Sequence, residues 1–142
     1  MTTATMTSPT SGSALGVWLW IAQFVVAAIF LLAGGMKTFI PIAELSQVIH
    51  WTGELPTWFV RAIGVIDLAG GIGIILPALT RIKPGLTVWA ALGCSLVQVL
   101  SILFHVSRGE ASVTPLNFVL LACALFVLWG RFRKAPISAR GR

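Results

Sequence analysis

The chain has 142 residues, of which 57% are apolar and only 10% charged, with a net charge of +6. A soluble domain of this size keeps a large share of its surface in water and carries about 25% charged residues. A water-soluble globule is therefore excluded, and lipid is the solvent that fits the composition. The basic residues gather at the ends of apolar runs and in the C-terminal stretch, which points to membrane topology and away from nucleic acid.

Residues 1–14 are rich in Thr and Ser and uncharged, and read as a flexible tail. A secretory signal would open with Lys or Arg, and none precedes Lys37, so the first apolar run is expected to be retained. Span one covers residues 15–36, LGVWLWIAQFVVAAIFLLAGGM, with Trp18 and Trp20 suited to an interface. The connection that follows holds Ile42, Leu45 and Ile49 at helical spacing. It predicts a short interfacial helix opened by Pro41, with Trp51 and Trp58 at headgroup level.

Span two covers residues 59–79 and carries Arg61, Asp67 and the small residues Gly64, Ala69, Gly70, Gly71 and Gly73, which suit close helix packing. The short turn TRIKPG makes spans two and three antiparallel neighbours. Span three covers 86–106. Span four covers 114–131, with Thr114 as an N-cap before Pro115, and a basic tail expected to be disordered fills 132–142. The fold class is all-α: an antiparallel bundle of four transmembrane helices, with the short interfacial helix between the first and second spans.

Four crossings put the N-terminal tail, the TRIKPG turn and the C-terminal tail on one face. That face holds seven basic residues against three on the other, so both termini are expected in the cytoplasm, with the protein in the plasma (inner) membrane.

Polar residues collect toward the opposite face. Asp67 lies six residues deeper than Arg61, about 9 Å along the axis and ~120° around it, so it needs a partner from another helix. Lys37 or His105 is the first expectation, with Arg108 third; a protonated Asp67 bonded to Gln98 is the other reading. Cys94, Gln98, Ser101 and His105 share one face of span three. Lys37, Arg108, Glu110 and Asn117 sit at the outer ends of spans one, three and four. An ionised residue in the bilayer costs about 2.5–3.5 kcal/mol at the helix centre, whereas interhelical hydrogen bonds return about 0.6 kcal/mol on average. That imbalance favours a functional polar pocket over a purely structural network. No metal site is expected, since neither histidine has HxxxH or HxxE spacing. Cys94 and Cys123 form no CxxC and read as small apolar residues.

The segments FLLAGGMKTF, RAIGVIDLAGGIGIILPALTRI, HVSRGE and NFVLLACALFVLWGR, in that order, resemble the DoxX-like family of small membrane proteins. The resemblance covers about residues 15–131. One position departs from it: the family usually has Glu where this chain has Asp67, one methylene shorter. The resemblance implies a four-helix membrane bundle, with some relatives linked to thiosulfate–quinone oxidoreduction or to oxidoreductase complexes that counter oxidative stress. It implies no intrinsic cofactor, and a quinone or a partner subunit would have to carry the electrons.

The expected function is an accessory subunit of a membrane redox or stress system, not a self-sufficient enzyme. A quinone-like ligand, or a membrane or periplasmic oxidoreductase partner, would dock at the outer pocket. There Asp67 serves as buried carboxylate, Lys37 and Arg61 as counter-charges, and His105 as a proton-handling group. A small transporter and a ligand-free assembly factor are the alternatives, and the glycine-rich faces suit a homodimer.

Overall fold

The computed structural model describes residues 11–141. The Thr/Ser-rich segment lies outside these as far as residue 10, and the chain is helical from Ser11 onward. Five α-helices follow: α1 Ser11–Phe39, α2 Ile42–Val48, α3 Thr57–Thr80, α4 Gly85–Ser107 and α5 Pro115–Trp129. A π-helical turn carries α5 on through Gly130–Lys134.

Four of these elements are long and apolar enough to cross a bilayer: Ala14–Phe39, Thr57–Thr80, Gly85–Ser107 and Pro115–Lys134. The shortest has 20 residues, about 30 Å of helix, which matches the hydrocarbon core. The distribution of side chains supports the same conclusion. Trp18, Phe24, Leu32, Val65, Leu76, Trp89, Leu100 and Phe118 face outward, while Gln23, Asp67, Thr87, Ser95, Gln98 and Arg131 are buried. This polarity is the reverse of a soluble protein's, and only an apolar solvent accommodates it.

Around the bundle the order is α1, α3, α4, α5, closing back on α1, and α1 with α3 shares the most extensive interface. The core runs through Val26, Phe30, Ile74, Ala91, Cys94, Leu120, Ala124 and Val127. Small residues set the spacing. A Cβ on Gly71 would meet the Leu31 side chain at 2.8 Å, and one on Gly73 would meet Ala90 at 2.9 Å, so α1 and α4 approach α3 on different faces. Ala69, expected to pack, is instead exposed.

The short helix α2 forms where the apolar spacing placed it, with Leu45 buried and Pro41 just ahead of it at the N-cap. Trp51 packs edge-on against Phe104 of α4, with ring centroids 5.6 Å apart, and Trp58 stays exposed. Thr114 occupies the N-cap position of α5, but its hydroxyl donates to the Ala111 carbonyl and caps no helix amide. The C-terminal stretch also departs from expectation. Arg81 ends α3 in the left-handed region (φ 59°), its Nε donates to the Ser138 carbonyl, and its own carbonyl accepts the Arg140 amide. The tail is thereby strapped to the α3–α4 turn.

Candidate functional site

Two glycines build the site. A Cβ on Gly34 of α1 would lie 2.8 Å from the Gly64 carbonyl and from the Leu68 amide of α3. A Cβ on Gly64 would lie 2.9 Å from Lys37 Cβ and from the Thr38 amide. The two backbones therefore touch, and Lys37 and Asp67 each follow one of these glycines by three residues. Helical side chains lean toward their own N-terminus. In antiparallel helices that lean points Lys37 and Asp67 at each other. Lys37 Nζ donates to Asp67 Oδ2 at 2.7 Å, and the two side chains keep only 13% and 7% of their exposure.

Arg61, expected as a second counter-charge, does something else. Its Nη1 donates to the Lys37 carbonyl at 2.6 Å. It satisfies one of the orphan carbonyls at the C-terminal end of α1, where the helix dipole favours a cation. It thereby anchors the turn that carries the lysine.

His105 and Arg108 do not reach Asp67. His105 Nδ1 donates to Glu110 Oε2 at 2.8 Å, Arg108 Nε donates to Glu110 Oε1 at 3.1 Å, and Arg108 also pairs with Glu54. This chain of charges ties the α2–α3 connection to the α4–α5 loop at the rim. The hydrogen bond from His105, aided by Arg108, holds the Glu110 carboxyl below its ordinary range. The bonds to Glu54 and then Glu110 raise Arg108. The partners are local in sequence, two and five residues apart across the end of α4 and the loop that follows it.

On α4, Cys94 and Gln98 are buried and Ser101 and His105 half-buried, along the face expected. A Cβ on Gly70 would lie 2.9 Å from Cys94 Sγ. Counted outward from that contact, Asp67 is three residues away on α3 and Gln98 four on α4, or ~4.5 and ~6 Å. No bond joins them: Lys37 has taken the carboxylate, and Gln98 Oε1 is buried without a partner. Ser101 and Asn117 make no side-chain hydrogen bond among the described residues.

Just inward of this level a cavity of about 230 Å³ opens between α3 and α4, with Phe30 of α1 at its back. Ile66, Ala69, Gly70, Gly93, Cys94 and Val97 line it. Its outermost lining residues, Ile66 and Val97, precede Asp67 and Gln98 in sequence, but neither polar side chain, nor Lys37, lines the cleft.

The sequence pattern of the DoxX-like family matches residues 21–127, most of the chain, from within α1 to near the end of α5. The chain belongs to the DoxX-like family. It is a multi-pass integral membrane protein. Neither the curated proteins nor the solved structures hold a match to it.

One polar cluster of this DoxX-like protein was not anticipated. Gln23 Nε2 donates to the Ile74 carbonyl at 2.8 Å, and Arg131 Nε donates to Gln23 Oε1 at 2.7 Å. Pro77 breaks the hydrogen-bond ladder of α3 beside that carbonyl. The available signal was the lone glutamine inside an otherwise apolar first span. Among the described residues no group of His, Cys, Asp or Glu could hold a metal ion.

Proposed function

We propose that this DoxX-like protein is an accessory subunit of a membrane redox or oxidative-stress system, holding the ring of a quinone in the cleft between α3 and α4. Both termini face the cytoplasm of the plasma (inner) membrane, and the Lys37–Asp67 layer lies in the outer leaflet. The observation that carries this reading is an apolar cleft open to lipid whose outer lining residue, Ile66, lies one residue from the acid of the buried Lys37–Asp67 pair. Lys37 keeps two ammonium N–H groups beyond the one given to Asp67, and these suit a quinone carbonyl. Drug-sized pockets run from about 300 Å³ upward. A cleft of about 230 Å³ therefore takes a ring and leaves an isoprenoid tail in the bilayer. The family's links to quinone-coupled oxidoreductases point the same way, with electron transfer supplied by a partner.

The ligand test uses Gly93→Leu. Gly93 lines the cleft and nothing lies within 4 Å of a Cβ placed there, so a larger side chain has room to project into it. Protein purified in mild detergent is extracted with organic solvent and its quinone content measured. The expected result is bound quinone in the wild type and several-fold less in Gly93→Leu, with equal helicity. Equal content in both would end the ligand assignment. Absence of any oxidoreductase in the wild-type eluate would end the accessory role.

A further inference from the structure

The opposite end of the bundle holds a buried cation that its neighbours only partly satisfy. Arg131 is 6% exposed. Its Nε is bonded to Gln23 and its Nη1 to the Ala135 carbonyl at 3.2 Å, while Nη2 is buried with no partner. The guanidinium lies 5.1 Å from the centre of the Trp20 ring, which supports its position and offers no acceptor. Across from it Thr87 is fully buried, and its hydroxyl also lacks a partner. Both side chains line one recess of about 60 Å³, closed by Gly85, Pro136 and Ile137. Two buried donors without acceptors in a single recess cost about 1–3 kcal/mol each when left so.

The recess has the electrostatics of an anion site. α4 opens at Gly85 with no side-chain cap, so its dipole presents a positive end here, although the Leu86 and Thr87 amides already donate to the Lys83 and Pro84 carbonyls. Arg81, Lys83, Lys134 and Arg140 lie at the same end of the bundle. The acidic side chains Glu44, Glu54, Asp67 and Glu110 all lie toward the other end, and those that pair do so there.

We propose that this recess binds a phosphate oxyanion, with Arg131 Nη2 and the Thr87 hydroxyl as donors, and that the phosphate belongs to an anionic membrane phospholipid. Three observations favour the lipid as source. The site lies at the ends of two spanning helices, at headgroup level. Its walls are apolar on the Val88 and Ile137 side. The volume admits a phosphate group but nothing larger, which leaves the glycerol and acyl chains to run along the exposed Leu86 and Trp89 face of α4. The strap of residues 136–140 closes over the phosphate and couples its occupancy to the position of the tail.

The test is retention of lipid by the full chain in detergent, read by native mass spectrometry. Phosphatidylglycerol, phosphatidylcholine and inorganic phosphate are each added alone. Thr87→Val keeps shape and removes one donor, so it folds; the expected result is phosphatidylglycerol binding by the wild type, weakened about tenfold in Thr87→Val, the worth of one hydrogen bond to a charged group. Arg133→Gln, on the exposed surface, is expected to change it less than twofold. Inorganic phosphate bound with the same Thr87 dependence, and lipid not bound, would overturn the lipid source. Binding of phosphatidylglycerol that ignores Thr87→Val and falls equally with Arg133→Gln would overturn the site, leaving general attraction to a basic surface. No binding of any of the three would overturn it too, with water filling the recess.

Discussion

The two ends of the bundle treat charge in opposite ways. At the end that holds Lys37 and Asp67, the buried carboxylate has its cation on a neighbouring helix, the rim residues Glu54, Arg108, Glu110 and His105 form a continuous chain, and only the part-buried Arg61 rests on a carbonyl. At the other end a buried arginine has only an amide oxygen, a carbonyl oxygen and the Trp20 ring for company, with one terminal nitrogen unsatisfied. The difference separates two problems. A bundle in lipid balances formal charge internally where it can, and elsewhere it sets the cation on amide and carbonyl dipoles, which leaves the charge itself open to an anion from outside the chain.

The strongest way to break this contrast is to remove one member of the balanced pair. Lys37→Met leaves Asp67 buried without a cation, and breaking a buried pair costs about 3–5 kcal/mol. The double variant Lys37→Met/Asp67→Asn removes both charges and is expected to recover most of that loss. Reversible unfolding in mixed micelles measures the cycle. A double variant as unstable as the single one would show that packing, not charge balance, holds Lys37 in place.

The comparison sharpens through two glutamines, Gln23 at the Arg131 end and Gln98 near the Asp67 level. Gln23→Leu strips the acceptor from Arg131 Nε and the donor from the Ile74 carbonyl, for an expected loss of about 1.5–3 kcal/mol. Gln98→Leu removes a side chain whose oxygen is already unpartnered and is expected to be neutral or stabilising by the same measurement. Equal losses would mean that burial alone, not bonding, distinguishes them.

Helix contact provides a smaller effect. Gly34→Ala drives a methyl into the α3 backbone, with an expected loss of about 1–3 kcal/mol and a weakened Lys37–Asp67 pair. Its neighbour Gly35 has open space around it, so Gly35→Ala is expected to leave the unfolding midpoint unchanged. Two equally damaging alanines would place the cost in helix propensity or elsewhere.

These sites were unequally legible in the sequence. Spans, the interfacial helix and the face shared by Cys94, Gln98, Ser101 and His105 follow from period and length, which lipid enforces strictly. The Lys37–Asp67 pair was among the expected partners because an acid in a span has few cations within reach. Which cation won was not legible. That choice depends on Gly34 meeting Gly64, a contact between spans with no sequence spacing to reveal it. Arg61 shows the same limit, since a bond to the Lys37 carbonyl has no side-chain partner to look for. Arg131 was hidden differently: it sits in RFRK among exposed basic residues, and only the pairing of α5 with α1 sets it against Gln23. The tail read as disordered from composition, yet Arg81 binds its backbone, and composition says nothing about main-chain acceptors.

The rim gives the smallest effect and the one whose sign is fixed by pH. The bond from His105, with Arg108, holds Glu110 below its ordinary value of 4.5, so the folded chain prefers the ionised carboxyl more than the unfolded chain does. Its contribution to stability is therefore complete above about pH 4.5 and is lost as pH falls through the lower folded value. An exposed pair of this kind contributes little, and salt screens it further. Glu110→Gln is expected to leave the thermal midpoint slightly lower at neutral pH and to converge with the wild type in acid. A constant offset between the two proteins from pH 7 to pH 3 would show that the rim chain is held by its geometry rather than by the charge on Glu110.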